Sequence, residues 1–230
     1  MDSKMLTLPR DPCALLCSGG VESSALAFLC SRQAKVQPIY VRFGLIWEDA
    51  ELGSLRDFLA STAGPNLQPL VVLEQPVADI YQDHWSRSGK AVPGLADPDE
   101  SVYLPGRNIL LLAKSAVFCS RRGLSTILVG TLQGNPFPDS RPEFFSQIAR
   151  AVSTGLNHKV EVVAPFHALK KEEVIRSARE APLELSFSCI RPQNGQHCGR
   201  CNKCGERRKH FRLAGIPDRT RYAVDNGDQG

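Results

Sequence analysis

Four cysteines near the C-terminus, Cys189, Cys198, Cys201 and Cys204, follow the spacing C-x8-C-x2-C-x2-C, with Gly195 and Gly199 supplying turns between them. Zinc takes four soft ligands in a tetrahedron, and closely spaced cysteines separated by glycine turns can wrap one ion without strain. Four thiolates leave no open coordination position, so the pattern predicts a structural ion rather than a Lewis acid. An iron–sulfur cluster would use the same ligands, but no redox partner motif accompanies them. His197, beside Cys198, is a further ligand candidate that the fourth cysteine makes unnecessary. Arg191, Arg200, Lys203, Arg207, Arg208, Lys209 and Arg212 surround the site with few acids. They are read as balancing the net negative charge of a tetrathiolate ion, with polyanion contact as the alternative.

A second constellation lies near the N-terminus, where the apolar run of residues 13–17 breaks into Ser18, Gly19 and Gly20, followed by Val21, Glu22, Ser23 and Ser24. A strand, a turn that only small residues allow and a helix over 21–33 would aim backbone N–H groups and a positive helix end at one point, which suits pyrophosphate. The two serine hydroxyls can add hydrogen bonds to phosphate oxygens. The plainer reading is an ordinary strand-to-helix turn. Two more polar groups stand at turns. Arg107 and Asn108 follow Pro105 and Gly106 at the mouth of an apolar helix, either presented to a ligand or serving as a solvated cation and a cap. Asp139 and Arg141 lie in a loop dense in turn formers, residues 131–142. Asp139 can accept from a guanine-like N–H edge, or cap the helix over 142–156; Arg141 can pair with a carboxylate or phosphate.

These groups need a frame. Apolar runs at 13–17, 36–43, 67–73, 126–130 and 160–163 read as strands, and helical periodicity over 48–63, 109–122, 142–156, 169–180 and 202–214 alternates with them. Such alternation predicts a doubly wound parallel sheet of the α/β class, with ligands beyond the carboxyl ends of the strands. Residues 1–187 are assigned to this α/β unit and 188–230 to a cysteine-bearing segment within the same compact body. Periodicity fails between Pro76 and Tyr103, and the aromatic and basic content there (Tyr81, His84, Trp85, Arg87, Lys90) suggests a lid, with His84 a surface residue. Lys170 and Lys171, at the start of an amphipathic helix, are read as solvated, although one could face a phosphate.

A chain of 230 residues with 42% hydrophobic content can bury a full core. Its formal net charge of +4 is too small to argue for nucleic acid by itself. Eight cysteines, no apolar run long enough to span a membrane and no apolar leader point to a reducing cytoplasm. Cys13, Cys17, Cys30 and Cys119 fall on apolar runs and read as core.

Taken in order, these motifs resemble the QueC family of 7-cyano-7-deazaguanine synthases, within the PP-loop ATP pyrophosphatases. Ser18–Gly20 with Ser23 and Ser24 match the PP-loop, and Pro105–Asn108 the family's P-x-R-N turn. Residues 138–145 match a PD-x-RPEF segment, and residues 188–204 the zinc site; residues 215–222 look like the family's ending. The resemblance implies an adenine nucleotide alpha hydrolase-like, Rossmann-like fold, structural Zn2+, and Mg2+ with ATP. It implies a nucleotide site of Ser18, Gly19, Gly20, Val21, Glu22, Ser23, Ser24 and Gly130. Ser18, Glu22, Ser23 and Arg107 take catalytic roles, and Arg107, Asn108, Asp139, Ser140, Arg141 and Phe187 contact substrate. The implied reaction adenylates 7-carboxy-7-deazaguanine and, with ammonia, passes through the amide to the nitrile. Small molecules are the expected partners, with a homodimer possible.

Glu22 stands where the PP-loop usually has Asp, Phe187 and Ile190 flank Cys189 where aromatic residues are commoner, and residues 134–137 replace the usual run before Pro-Asp. These departures keep two alternatives open. One is a paralogue that delivers the acyl group to an amine of a protein or nucleic acid, and the other a non-catalytic nucleotide-binding zinc module. A sulfur-transfer enzyme is disfavoured by the core placement of the remaining cysteines.

Overall fold

The computed structural model describes residues 6–224. The expectation of no apolar leader falls partly on residues 1–5, which lie outside the described residues, as do 225–230. Five strands form one parallel sheet in the order β3-β2-β1-β4-β5: β1 (Cys13–Leu16), β2 (Val36–Arg42), β3 (Val71–Glu74), β4 (Thr126–Leu128) and β5 (Glu161–Val163). The doubly wound parallel sheet expected from the alternating runs is therefore the fold.

Helices α1 (Val21–Cys30), α2 (Glu48–Ser61) and, past the single-turn α3 (Ala78–Tyr81) and α4 (Trp85–Ser88), α5 (Arg107–Arg122) connect the first four strands. The remaining helices are α6 (Pro142–Leu156), α7 (Lys171–Ser177) and α8 (Asn202–Ala214). Alternation along the strands sends side chains to two cores. Cys13, Leu15 and Leu128 pack with α1, α2, α7 and α8 through Leu26, Phe58, Ile175 and Phe211. Ala14 and Ile127 pack on the opposite face with Leu112 and Ala116 of α5 and Phe145 of α6. Both faces are covered, which is why the strands read as continuous apolar runs. The strand order reverses between β1 and β4, so a crevice opens beyond their carboxyl ends.

Several elements are shorter than their patterns suggested, among them α1, which ends at Cys30 rather than 33, and β4, which ends at Leu128 rather than 130. β3 starts at Val71, not Leu67, because Pro69 has no N–H for the ladder; the Gln37 side-chain Nε2 instead donates to the Pro69 carbonyl at 2.7 Å. α7 starts at Lys171, with Lys170 as N-cap and the Glu173 carboxylate accepting the Lys170 N–H at 2.7 Å. α5 starts two residues early, at Arg107, because Gly106 (φ 75°) supplies the left-handed turn that leads into it. The stretch between Pro76 and Tyr103 is folded into α3, α4 and a 3-10 turn, with Trp85 stacked on Trp47 at 5.6 Å and His84 capping α4.

The C-terminal segment is held to this body by Arg207, which is 1% exposed. Its guanidinium donates to Thr220 Oγ1 (2.8 Å), Ser186 Oγ (2.9 Å) and the Leu183 carbonyl (2.7 Å), and lies 3.5 Å from Asp218 Oδ1. Arg207→Met is expected to lower stability by about 3–5 kcal/mol, because Asp218 and the oxygens would stay buried without their partner. Chemical denaturation checks this as a lower midpoint at unchanged slope. Arg207 is thus engaged by these oxygens rather than held at the cysteine sulfurs, and Arg208 lies over the Tyr222 ring at 3.8 Å and donates to the Gly199 carbonyl.

Candidate functional site

The loop after β1 carries Ser18, Gly19 and Gly20 into α1. Gly19 has φ 77°, and a Cβ there would lie 3.2 Å from the Glu51 carbonyl oxygen, so both conformation and space require glycine. The Gly19 carbonyl accepts the Phe187 N–H at 2.7 Å and the Ser24 hydroxyl at 3.3 Å. Ser18 Oγ accepts from the Gly20 N–H at 3.4 Å and sits 3.4 Å from Ser23 Oγ, whose hydroxyl donates to the Gly20 carbonyl. Ser18, Gly20, Glu22 and Ser23 line a cavity of about 360 Å³ at the switch point; Gly19, Val21 and Ser24 do not. Ser24 is fully buried and turned back onto the loop, so of the two serines expected to meet a ligand only Ser23 faces the cavity. Gly130 lines it too, and a Cβ there would fall 3.1 Å from Glu22 Cβ, so glycine lets the end of β4 approach α1.

Across the cavity, Arg107 and Asn108 come from the first turn of α5. The Arg107 Nε is buried without a hydrogen-bond partner among the described residues, while its charge acts on Glu51 and Asp139. Asp139, 5% exposed, accepts the Asn108 N–H at 3.1 Å, and Asn108 Nδ2 donates back to the Asp139 carbonyl at 2.9 Å. Asp139 therefore satisfies an orphan donor of α5 rather than capping α6, whose N-cap is Arg141. Burial raises the Asp139 pKa, opposed by these hydrogen bonds and by Arg107. Ser140 and Arg141 do not line the cavity: the Ser140 hydroxyl donates to Asn135 Oδ1 and the Phe137 carbonyl, and Arg141 is exposed. Flat walls come from Trp47 with Trp85 and from Tyr103 stacked on Phe137 at 5.0 Å, a fit for a planar heteroaromatic ring. Phe187 lines the cavity with its ring 4.5 Å from that of His197.

One wall is a row of alternating charges. Lys171 Nζ lies 2.8 Å from Glu22 Oε1 and 2.6 Å from Glu206 Oε1, and Lys203 Nζ lies 2.6 Å from Glu206 Oε2. Lys171, read as solvated from the helix pattern, has an 11% exposed side chain and faces the loop. Burial alone would lower its pKa, but the carboxylates of Glu22 and Glu206 outweigh it and hold the ammonium above its ordinary value. Burial would likewise raise Glu206, yet Lys171 and Lys203 bring it down to about 2. Lys203 points into the cavity rather than at the cysteines between which it sits.

Two acids of α2 escaped notice in the sequence. Glu48 is 1% exposed and accepts the N–H groups of Phe43 (2.7 Å) and Gly44 (2.8 Å), closing the turn after β2. Glu51 lines the cavity, 7% exposed, and accepts the Tyr40 hydroxyl at 2.6 Å. Acids in a helix's first turns ordinarily complement its dipole in water, so type and position alone gave no sign that these two turn inward.

Beside the cavity, Cys189, Cys198, Cys201 and Cys204 are buried, with their sulfurs all within 4.8 Å of one another. Measured separations of 4.0, 3.9 and 3.5 Å bracket the S···S distance of about 3.8 Å that a tetrahedral zinc–thiolate site requires. The N–H groups of Arg191 and Cys198 donate to Cys189 Sγ and that of Arg200 to Cys198 Sγ, the hydrogen bonding that thiolates need when buried. The donor set fits zinc. His197 is not a ligand here; its Nε2 accepts the Ser188 N–H at 3.0 Å, and burial first, then Arg207, lower its pKa to about 3. The other cysteines are core: burial pushes the Cys13 thiol up to about 11 and those of Cys30 and Cys119 to about 12. Among the described residues no helix is long and apolar enough to cross a membrane.

Comparison with known proteins gives a consistent result. Residues 13–215 match the family described as "Queuosine biosynthesis protein QueC". A protein of Methanococcus maripaludis strain C7 named 7-cyano-7-deazaguanine synthase is 33% identical over 236 residues, covering 90% of this chain and 97% of its own. One of Methanothrix thermoacetophila with the same name is 31% identical over 219 residues, covering 90% and 96%.

Proposed function

The chain belongs to the QueC family, and from that premise we propose that it is an ATP-dependent synthase that adenylates 7-carboxy-7-deazaguanine and, with ammonia, carries it through the amide to 7-cyano-7-deazaguanine. The observation that carries this reading is the partnerless buried Nε of Arg107, facing the Ser18–Ser23 loop across a cavity walled by aromatic rings. A guanidinium is the group best shaped to grip a carboxylate.

A carboxylate resists attack because oxide is a poor leaving group; adenylation replaces it by AMP. In this reading the loop N–H groups and the start of α1 hold the triphosphate, with the hydroxyls of Ser18 and Ser23 alongside. Lys171 balances the charge of the departing pyrophosphate, a role for which its position between two carboxylates keeps it protonated. Arg107 aims the substrate carboxylate at the α-phosphorus, and the aromatic walls hold the deazapurine ring. Asp139, fixed through Asn108, offers a carboxylate to the N–H edge of the ring. Glu22 and Glu206 offer hard oxygen donors suited to Mg2+, which would neutralise the phosphates when bound.

The test is direct. The protein with ATP, Mg2+, the acid and ammonia should yield AMP, pyrophosphate and the nitrile by mass spectrometry; absence of AMP formation would reject the reading. Arg107→Lys, which keeps the charge but loses the fork, should raise KM for the acid and lower kcat/KM roughly 10- to 100-fold, on the order of 1.5–3 kcal/mol for a charged hydrogen bond.

A further inference from the structure

We propose that Glu51 is the general base that removes protons from the attacking nitrogen during amide and nitrile formation, a role that rests on the synthase reading above. The chemistry demands such a group. The nitrogen lone pair forms the C–N bond at the acyl carbon, the C–O bond electrons leave with AMP, and one proton must leave the nitrogen. When a second ATP activates the amide oxygen, expelling pyrophosphate, the nitrogen must shed its remaining protons as the C≡N bond forms and AMP departs. Every proton of ammonia is therefore passed to a base near the reacting carbon.

Among the acids that line the cavity, Glu22 and Glu206 are paired with lysines, and Asp139 is engaged by Asn108. Among the described residues Glu51 makes no ion pair. Its backbone and Cγ lie against the Gly19 turn, 3.2 and 3.3 Å from where a Cβ would stand, so it flanks the phosphate loop directly. Arg107 lines the same cavity and acts on Glu51 electrostatically, so a carboxylate gripped by Arg107 would share the cavity with Glu51. The groups facing it are Tyr40 from β2, which donates at 2.6 Å, Glu48 from its own helix, and Arg107 from α5. Burial raises its pKa to about 7, opposed by Arg107 and the Tyr40 hydroxyl and reinforced by Glu48. A base of that strength can take a proton and release it to solvent near neutrality. Only the carboxylate form accepts, so the rate of amide formation rises as pH climbs through about 7.

Glu51→Gln keeps the shape and an acceptor for Tyr40. Two readouts on the full metal-loaded chain decide the matter: acid-dependent ATP–pyrophosphate exchange, which reports adenylation, and amide and nitrile yield by mass spectrometry. Exchange should persist while amide formation falls roughly 10²–10⁴-fold and loses its rise near neutral pH; Glu51→Asp should restore part of it. An equal loss of exchange would overturn the proposal in favour of Glu51 shaping the loop. A raised KM for the acid with kcat and the pH profile intact would overturn it in favour of ring recognition. Absence of exchange in the unmodified protein would instead remove the synthase reading itself, and the base role with it.

Discussion

Replacing Cys204 by serine is expected to release the metal, lower the melting temperature and abolish AMP formation together. The four sulfurs join the segment at Cys189 to the first turn of α8, and that turn carries Lys203 and Glu206 into the cavity. Zinc bound by such sites is worth roughly 10–16 kcal/mol in small peptides. Whole domains are stable by only about 5–15 kcal/mol. Without the ion, the three remaining buried sulfurs crowd together with nothing to neutralise their thiolates, so the segment should open. Elemental analysis checks the loss of metal, thermal unfolding the loss of stability, and AMP release the loss of the charge row. A Cys204→Ser protein that kept one equivalent of zinc and full turnover would contradict the assignment of this residue as a ligand.

The second large effect is expected at Lys171. Lys171→Met leaves Glu22 and Glu206 facing each other with no ammonium between them, and removing one member of a buried charged set costs about 3–5 kcal/mol. Pyrophosphate release should also fall by several orders of magnitude, since the loop would then have lost the ammonium beside Glu22 that balances the departing charge. A double-mutant cycle separates the two consequences. Lys171→Met combined with Glu22→Gln should recover much of the stability, because Glu22 is the carboxylate left unpaired while Glu206 keeps Lys203, and none of the activity. Urea unfolding and a pyrophosphate assay read the two effects independently. Recovery of both together would mean that Lys171 serves the fold and not the phosphate.

The sequence disclosed the frame and hid the interior charges, for physical reasons. Apolar runs such as that at residues 13–17 announce buried strands because a parallel sheet covered on both faces has no polar side to display. Spacing alone located the cysteines, since four ligands for one ion must lie close along the chain or be brought close by turns. Lys171 gave no such signal. It sits in a run of four charged residues at a helix start, 170–173, a pattern that ordinarily faces water, and only the tertiary approach of α1 and α8 buries it. Arg207 was one basic residue among seven near the cysteines, and nothing in its neighbours distinguishes it from the exposed Arg200. Glu51 was masked in the same way by the acids around it. Arg107 and Asn108 were legible because a Pro-Gly turn fixes where a helix begins, whereas the inward face of Asp139 depends on a hydrogen bond to a residue 31 positions away.

The bond from the Phe187 N–H to the Gly19 carbonyl has a consequence for how such a protein can be inherited. The residue that steadies the glycine loop after β1 lies two positions before Cys189, so that loop and the cysteine segment are not exchangeable parts. A chain ending before Phe187 would lose a fastening of its own N-terminal loop. A metal segment transplanted from another protein would have to bring the matching backbone register as well as its cysteines. Recombination can therefore reshuffle the outer helices of this fold more freely than it can part these two ends of the chain.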